Sequence, residues 1–260
     1  MKKTKIIAVT NQKGGVAKTT TATAMAAELK QQGYKTLLID TDPQCNATDT
    51  FRAVTKDVAT LYDALIEVNE TKIDLKEYIQ NTDAGDIIAG DPLLSTLEQR
   101  LTEQGREYRL REVLTCLENT DYDYVIIDTP PNLGLLLTNA LTAADSCIIP
   151  IAADRYSLQG LSQLDESIGR VRKYSNQNLK IEGLLLCRFN PNQVLSKTVL
   201  ETGEEISRQL GTKIFKTHIR ESVATQKAQA ARMTIYEYDN SCNTALDYRQ
   251  FVKEYLEGEN

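Results

Sequence analysis

The segment Asn11-Gln12-Lys13-Gly14-Gly15-Val16-Ala17-Lys18-Thr19-Thr20 constrains this chain more than any other. It joins a short apolar run, Lys5–Thr10, to an alanine-rich run, Lys18–Gln32, that stops near Gly33. The first run reads as a buried strand and the second as a helix. Two glycines at such a junction let the backbone curl round an anion without a Cβ clash. The helix that follows presents open N–H groups and a partial positive charge. Lys18 can neutralise outer phosphates, and the Thr19 hydroxyl can ligate Mg²⁺. The common pattern G-x-x-x-x-G-K-[ST] is not met, because Gln12 and Ala17 stand where its glycines would be. The match is to K-G-G-x-x-K-[ST], which carries an extra lysine, Lys13. Lys13, Gly14, Gly15, Val16, Ala17, Lys18, Thr19 and Thr20 are the candidate nucleotide-binding residues.

Strand and helix signals alternate along the remaining chain. Strands are expected at Lys35–Asp40, Asp86–Ala89, Tyr124–Asp128, Cys147–Ile151 and Ile181–Cys187, with an edge strand at Lys213–Phe215. Helices are expected around Ala59–Glu67, Leu93–Thr102, Leu110–Leu117, Leu158–Lys173, Val194–Leu210 and Asn243–Leu256. Continuous apolar strands imply burial on both faces. Alternation with helices implies an α/β fold with a doubly wound, mostly parallel β-sheet flanked by helices. No repeat or linker interrupts the pattern, so residues 1–260 are expected to form a single domain.

Three acids stand where such sheets bind ligands, at the carboxyl ends of strands. Asp40 ends L-L-I-D, Asp42 follows just before Pro43, and Asp128 ends V-I-I-D. A carboxylate at the position of Asp128 can hold a water on Mg²⁺. Thr19 and Asp128 are the candidate metal residues.

These motifs carry a resemblance. The phosphate loop, Leu37–Ala47 and Tyr122–Leu137 together resemble the ParA/Soj-type partition ATPases, members of the deviant-Walker (ParA/MinD) P-loop NTPase superfamily. The resemblance implies ATP and Mg²⁺ as cofactors and an ATP-dependent homodimer. It implies that Asp42 positions or activates the attacking water. It implies that Asp40 and Asp128 support the water shell of the metal. Lys13 would cross to the nucleotide of the second subunit, where a cation stabilises charge developing in transfer. Most members of the family carry glycine where this chain has Ala17. The segment Arg188-Phe189-Asn190-Pro191 would lie near the adenine, with Asn190 and Pro191 as its candidate contacts. A ParB-like centromere-binding partner would stimulate hydrolysis, and the ATP-bound form would sit on non-specific DNA, associated with the nucleoid. Two rivals are a ParA-like ATPase that positions a protein cargo and a metabolic deviant-Walker enzyme such as an amide ligase.

Charge bears on the DNA expectation. The 260-residue chain carries a net charge of −6, so any DNA contact needs a local patch. From Arg188 to Arg232 there are eight Lys/Arg against four Asp/Glu. Lys197, Arg220 and Lys227 in that stretch are the candidate DNA contacts, made to phosphates rather than to bases. The phosphate loop begins at Lys13, so no helix-turn-helix domain is expected before it. The acidic tail Phe251–Asn260 lacks the basic amphipathic character of a membrane anchor. The apolar stretch Ile6–Val9 is too short for a signal segment. A cytoplasmic protein without a membrane partner is expected. The five cysteines are odd in number and contain no C-x-x-C pair, so they read as reduced packing thiols.

Overall fold

Strands that are apolar at every position must be covered on both faces, and that requirement organises the chain. The structure is a computed structural model that describes residues 4–68, 73–119, 122–152, 161–190 and 194–258, excluding the side chains of 118, 119 and 194–197. In chain order the elements are β1 (Lys5–Val9), α1 (Lys18–Gln31), β2 (Thr36–Asp40), α2 (Asn46–Thr50), α3 (Leu61–Glu67), β3 (Ile79–Asn81) and β4 (Asp86–Ile88). Then come α4 (Leu97–Arg100), α5 (Arg109–Thr115), β5 (Tyr124–Asp128), α6 (Leu135–Ala143), β6 (Ser146–Ala152) and α7 (Leu161–Tyr174). The chain continues with β7 (Lys180–Phe189), α8 (Val194–Gln209), β8 (Ile219–Arg220), α9 (Val223–Ala230), α10 (Ile235–Asp239) and α11 (Asn243–Glu257).

The strands form one sheet in the order β3-β4-β2-β5-β1-β6-β7-β8. Every pairing is parallel except β3 with β4. Strand alternation sorts the core into two layers. Ala8, Leu37, Ile39, Val125 and Ile127 pack with α3, α5, α6 and α7. Ile7, Val9, Leu38 and Ile126 face the other way, onto α1 and α11. Each fully buried aliphatic side chain contributes about 1.5–3 kcal/mol before chain entropy is subtracted.

Register sets the geometry that matters for function. Asp128 lies level with Asp40 on one neighbour and with Val9 on the other. The strand ends are then pinned. Thr41 donates both its N–H and its hydroxyl to the Asp128 carbonyl, at 3.0 and 2.6 Å. The Thr129 hydroxyl donates to the Val9 carbonyl at 2.9 Å. Two carboxylates and the mouth of the phosphate loop therefore meet at the carboxyl ends of the central strands.

The expected elements are largely present, with instructive differences. The Leu93–Thr102 expectation resolves into a 3₁₀ turn, Pro92–Thr96, followed by the short α4. Lys213–Phe215 makes one bridge, Ile214 to Leu184, and the last strand is instead β8. Helices α2, α6, α9 and α10 and strand β3 are additional to the expected elements. The Leu158–Lys173 helix begins in the description at Leu161, because residues 153–160 lie outside the described residues.

Candidate functional site

The loop between β1 and α1 is built to face an anion. Its entrance is fixed by Asn11, whose amide donates to the Pro150 carbonyl at 2.7 Å and accepts from Lys13 N at 3.0 Å. Gly14 and Gly15 are exposed, and a Cβ at either would meet nothing within 4 Å. Gly15 has φ +74°, a backbone that glycine adopts without penalty. Ala17 caps α1 at φ 73°, the same left-handed region, which costs a non-glycine residue about 1–2 kcal/mol. The small residue that replaces glycine here thus keeps the loop conformation at the expense of strain. No side chain caps α1 and no acid sits in its first turn, so its N–H groups are available to a ligand.

Lys18 lies in the first turn of α1 and is almost fully buried. Its ammonium donates to the Lys13 carbonyl at 3.0 Å. Burial pushes its pKa down, while Asp128 and Asp42 pull it back up. The lysine is therefore held on a backbone carbonyl, with the charges of Asp128 and Asp42 favouring its ammonium form, in the place where phosphate charge would arrive.

The three acids differ sharply in environment. Asp40 is fully buried, and both its oxygens are engaged. One accepts from Asp42 N at 3.1 Å, the other from Thr48 N and Thr48 Oγ1, each at 2.8 Å. Burial raises its pKa to about 6. Asp128 is equally buried, yet neither carboxylate oxygen has a hydrogen-bond partner among the described residues. Burial, reinforced by the Asp40 charge, raises its pKa well above the carboxylate range. The Thr19 hydroxyl and the Lys18 ammonium pull the other way, the hydroxyl without completing a hydrogen bond. Asp42 lies at the cleft wall, where its carboxylate accepts from Gln44 N at 2.9 Å.

A buried carboxylate without donors is costly. A cation, or waters held by one, would satisfy it. Thr19 and Asp128 are thus suited to hold Mg²⁺, with Asp40 behind them. Among the described residues no cluster of three or more His, Cys, Asp or Glu could form a metal cage. None is needed, since Mg²⁺ commonly keeps several waters and takes one or two protein ligands plus phosphate oxygens.

A cleft of about 610 Å³ runs away from the loop. Gly14, Gly15, Ala17–Thr20 and Asp42 line one end. Cys187, Arg188, Ile219–Ser222, Thr225, Gln226, Thr244 and Tyr248 line the other. The volume is in the range of nucleotide and cofactor sites. Of the residues expected at the base, Asn190 is absent from the cleft lining, and Pro191 lies outside the described residues. Arg188, expected near the base as part of its segment, does line the cleft, whereas Glu221, Ser222, Thr225 and Gln226 were not anticipated there. Those four belong to the turn after β8 and the start of α9, and no local motif marks them.

The candidate DNA contacts separate as well. Arg220 turns to Asp247 of α11 in a two-pronged pair, Nη2 to Oδ1 at 2.6 Å and Nε to Oδ2 at 2.9 Å, and also lines the cleft. Its charge is paired with a carboxylate of the protein itself, which counts against a direct phosphate contact. Arg188 pairs with Glu221 at 2.8 Å, and Arg232 with Asp49 at 2.6 Å. Lys227 is exposed on α9, and the Lys197 side chain lies outside the described residues. The sequence count of cations in this stretch therefore overstates the available positive charge. The five cysteines are free thiols, and burial pushes Cys147 and Cys187 up to about 12.

A loop of this form, opposed by carboxylates from adjacent parallel strands, defines a P-loop nucleotide-binding protein. A family model described as an AAA domain matches residues 4–181. The sporulation initiation inhibitor protein Soj of Bacillus subtilis is 39% identical over 254 residues, covering 96% of this chain and 97% of Soj. The chromosome partitioning protein ParA of Myxococcus xanthus is 36% identical, covering 97% and 88%. The solved structure of cobyrinic acid a,c-diamide synthase from Mycobacterium smegmatis, with bound ADP and magnesium, superposes with a TM-score of 0.84 at 29% identity, covering 99% and 96%. The chain belongs to the ParA/Soj-type partition ATPases of the P-loop NTPase superfamily. The same synthase has also been solved with a bound ATP analogue and magnesium. Among the described residues no helix is long and apolar enough to cross a membrane.

Proposed function

We propose that this protein, working as a single ATPase domain, hydrolyses ATP to ADP and phosphate and dimerises when ATP is bound. The dimer binds DNA without sequence preference, and a ParB-like partner stimulates hydrolysis, so that a plasmid or chromosome is partitioned. The observation that carries the reading is the donor-less Asp128 carboxylate, level with Asp40 and beside Lys18. That arrangement suits Mg-ATP, and the Soj and ParA relatives supply the biological class.

Each residue then has a task. The N–H groups of Gly14–Thr20 and the Lys18 ammonium bind the phosphates. Thr19 and Asp128 hold Mg²⁺, which neutralises phosphate charge when bound. Asp42 orients the attacking water. Lys13 reaches the nucleotide of the second protomer. DNA contacts fall to exposed lysines such as Lys227 rather than to Arg220.

Retention on unrelated duplexes with ATP, ADP or no nucleotide tests the reading. ATP-only retention that weakens steeply with salt supports it. Retention that ignores the nucleotide contradicts it. No retention at low salt with ATP favours the protein-cargo alternative. The fold likeness to cobyrinic acid a,c-diamide synthase gives the metabolic alternative its specific support. ATP turnover that depends on an added carboxylic acid and an amide donor would favour that alternative.

A further inference from the structure

Helix α2 is too short to hold itself in place; Ala47 and the adjoining Phe51 anchor it in the core, and two sets of polar contacts refine where it lies. In the first, Thr48 binds the Asp40 carboxylate through N and Oγ1, and the Thr48 hydroxyl also accepts from Gly90 N at 2.8 Å. The other Asp40 oxygen accepts from Asp42 N. A shift of α2 is therefore passed through Thr48 and Asp40 to the backbone of Asp42.

In the second, the segment from Asp49 to Arg52 meets the turn between α9 and α10, and the contact is reciprocal. Arg52, just beyond α2, donates from Nη1 to the Arg232 carbonyl at 3.1 Å and from Nη2 to Glu237 Oε1 at 2.6 Å. Arg232, in the turn, reaches back from Nε to Asp49 of α2 at 2.6 Å. The Glu237 partner is itself fixed, because its other oxygen accepts from Thr234 N and Thr234 Oγ1 at 2.9 and 2.8 Å. Both arginines have left-handed backbones, Arg52 and Arg232 each at φ 55°. That conformation is costly for a residue with a Cβ and persists where surroundings enforce it. Here each strained residue donates its guanidinium to the other's segment. Exposed ion pairs contribute little to global stability, so geometry is the better account of this arrangement.

We infer that Arg52 and Arg232 are positioning residues for hydrolysis, forming a clasp that fixes α2 and thereby Asp42. The inference rests on the reading that Asp42 orients the attacking water. The clasp also ties the two ends of the cleft together. Helix α9 lines the base end, and its Gln229 donates to Thr20 Oγ1 of α1 at 3.2 Å. Occupancy of the base end, the phosphate loop and the Asp42 segment thus share one joint.

The test measures steady-state ATP turnover, equilibrium Mg-ATP binding and thermal unfolding on the full chain. Arg52→Ala with Arg232→Ala is expected to lower kcat about tenfold, since small misplacements of a reacting group are expensive. ATP affinity should stay within about twofold, because Lys18 and the loop are untouched. Arg52→Lys with Arg232→Lys, which keeps the charges, should recover part of kcat and guards against a variant that fails to fold. Asp49→Ala added to Arg232→Ala should cost little more than Arg232→Ala alone, as expected of partners in one contact. Wild-type kcat in the double alanine variant, while Asp42→Ala is inactive, overturns the clasp and leaves the Asp42 reading standing. Wild-type turnover in Asp42→Ala overturns that reading and the clasp with it. Loss of kcat and ATP affinity in step with loss of thermal stability assigns the arginines to fold maintenance and also overturns the clasp.

Discussion

The two ends of the cleft are built on different principles. At the phosphate end, function is carried by consecutive residues. The run Lys13–Thr20 supplies backbone, cation and hydroxyl, and parallel pairing brings Asp40 and Asp128 level with each other. At the base end, function is carried by residues that tertiary packing gathers. Arg188, Arg220 and Arg232 each meet an acid, respectively Glu221, Asp247 and Asp49. The contrast teaches that a motif survives translation into space, whereas a count of charges does not. At the phosphate end the Lys18 ammonium rests on a backbone carbonyl, that of Lys13. Much of the positive charge near the base end is neutralised by the protein itself.

The largest effect that would sharpen this contrast is expected from Lys18→Ala. Removing the ammonium takes away the cation at the loop that would meet the phosphate charge. Mg-ATP binding should fall by at least about 100-fold by calorimetry. Near-normal affinity would dissolve the phosphate-end account. Lys13→Ala should bind ATP normally but lose about 100-fold in turnover, if its ammonium meets charge developing on the other protomer's nucleotide. A fully active variant that remains monomeric would remove that role.

Smaller effects probe the base end. Lys227→Ala should reduce the log–log salt slope of DNA binding by roughly one per protomer engaged. Arg220→Ala should leave that slope alone and instead lower stability by about 1 kcal/mol, through its lost partner Asp247. The reverse pattern in a salt titration would restore Arg220 as a DNA contact. Smallest of all, Ala17→Gly should relieve the left-handed strain. The gain is partly offset by the freer unfolded chain, leaving up to about 1 kcal/mol of added stability. A lowered urea midpoint would show that Ala17 is not strained.

What the sequence made legible follows the same divide. The apolar strands β1, β2, β5, β6 and β7 were readable because burial on both faces leaves an unbroken aliphatic run. The loop and the three acids were readable because they sit at the ends of those runs. Helix α6 was not, because Leu135–Leu137 follows Pro130-Pro131-Asn132-Leu133-Gly134 without a capping side chain of its own. Its first N–H is instead satisfied from a distance, by Glu98 at 2.6 Å. Helices α9 and α10 carry no strong apolar periodicity, and α10 has only a local capping box, Thr234 with Glu237. The base end stayed hidden for the same reason. Arg220 and Asp247 are 27 residues apart, and nothing local in either announces the pair.

The central claim is that Asp42 serves the reaction while the loop serves binding. Mg-ATP affinity and phosphate release, measured side by side for the wild type and Asp42→Ala, test it most directly. The account predicts unchanged affinity with release slowed about 100-fold or more, the usual contribution of a positioned acid–base group. Unchanged release from Asp42→Ala, or affinity lost together with release, would contradict it.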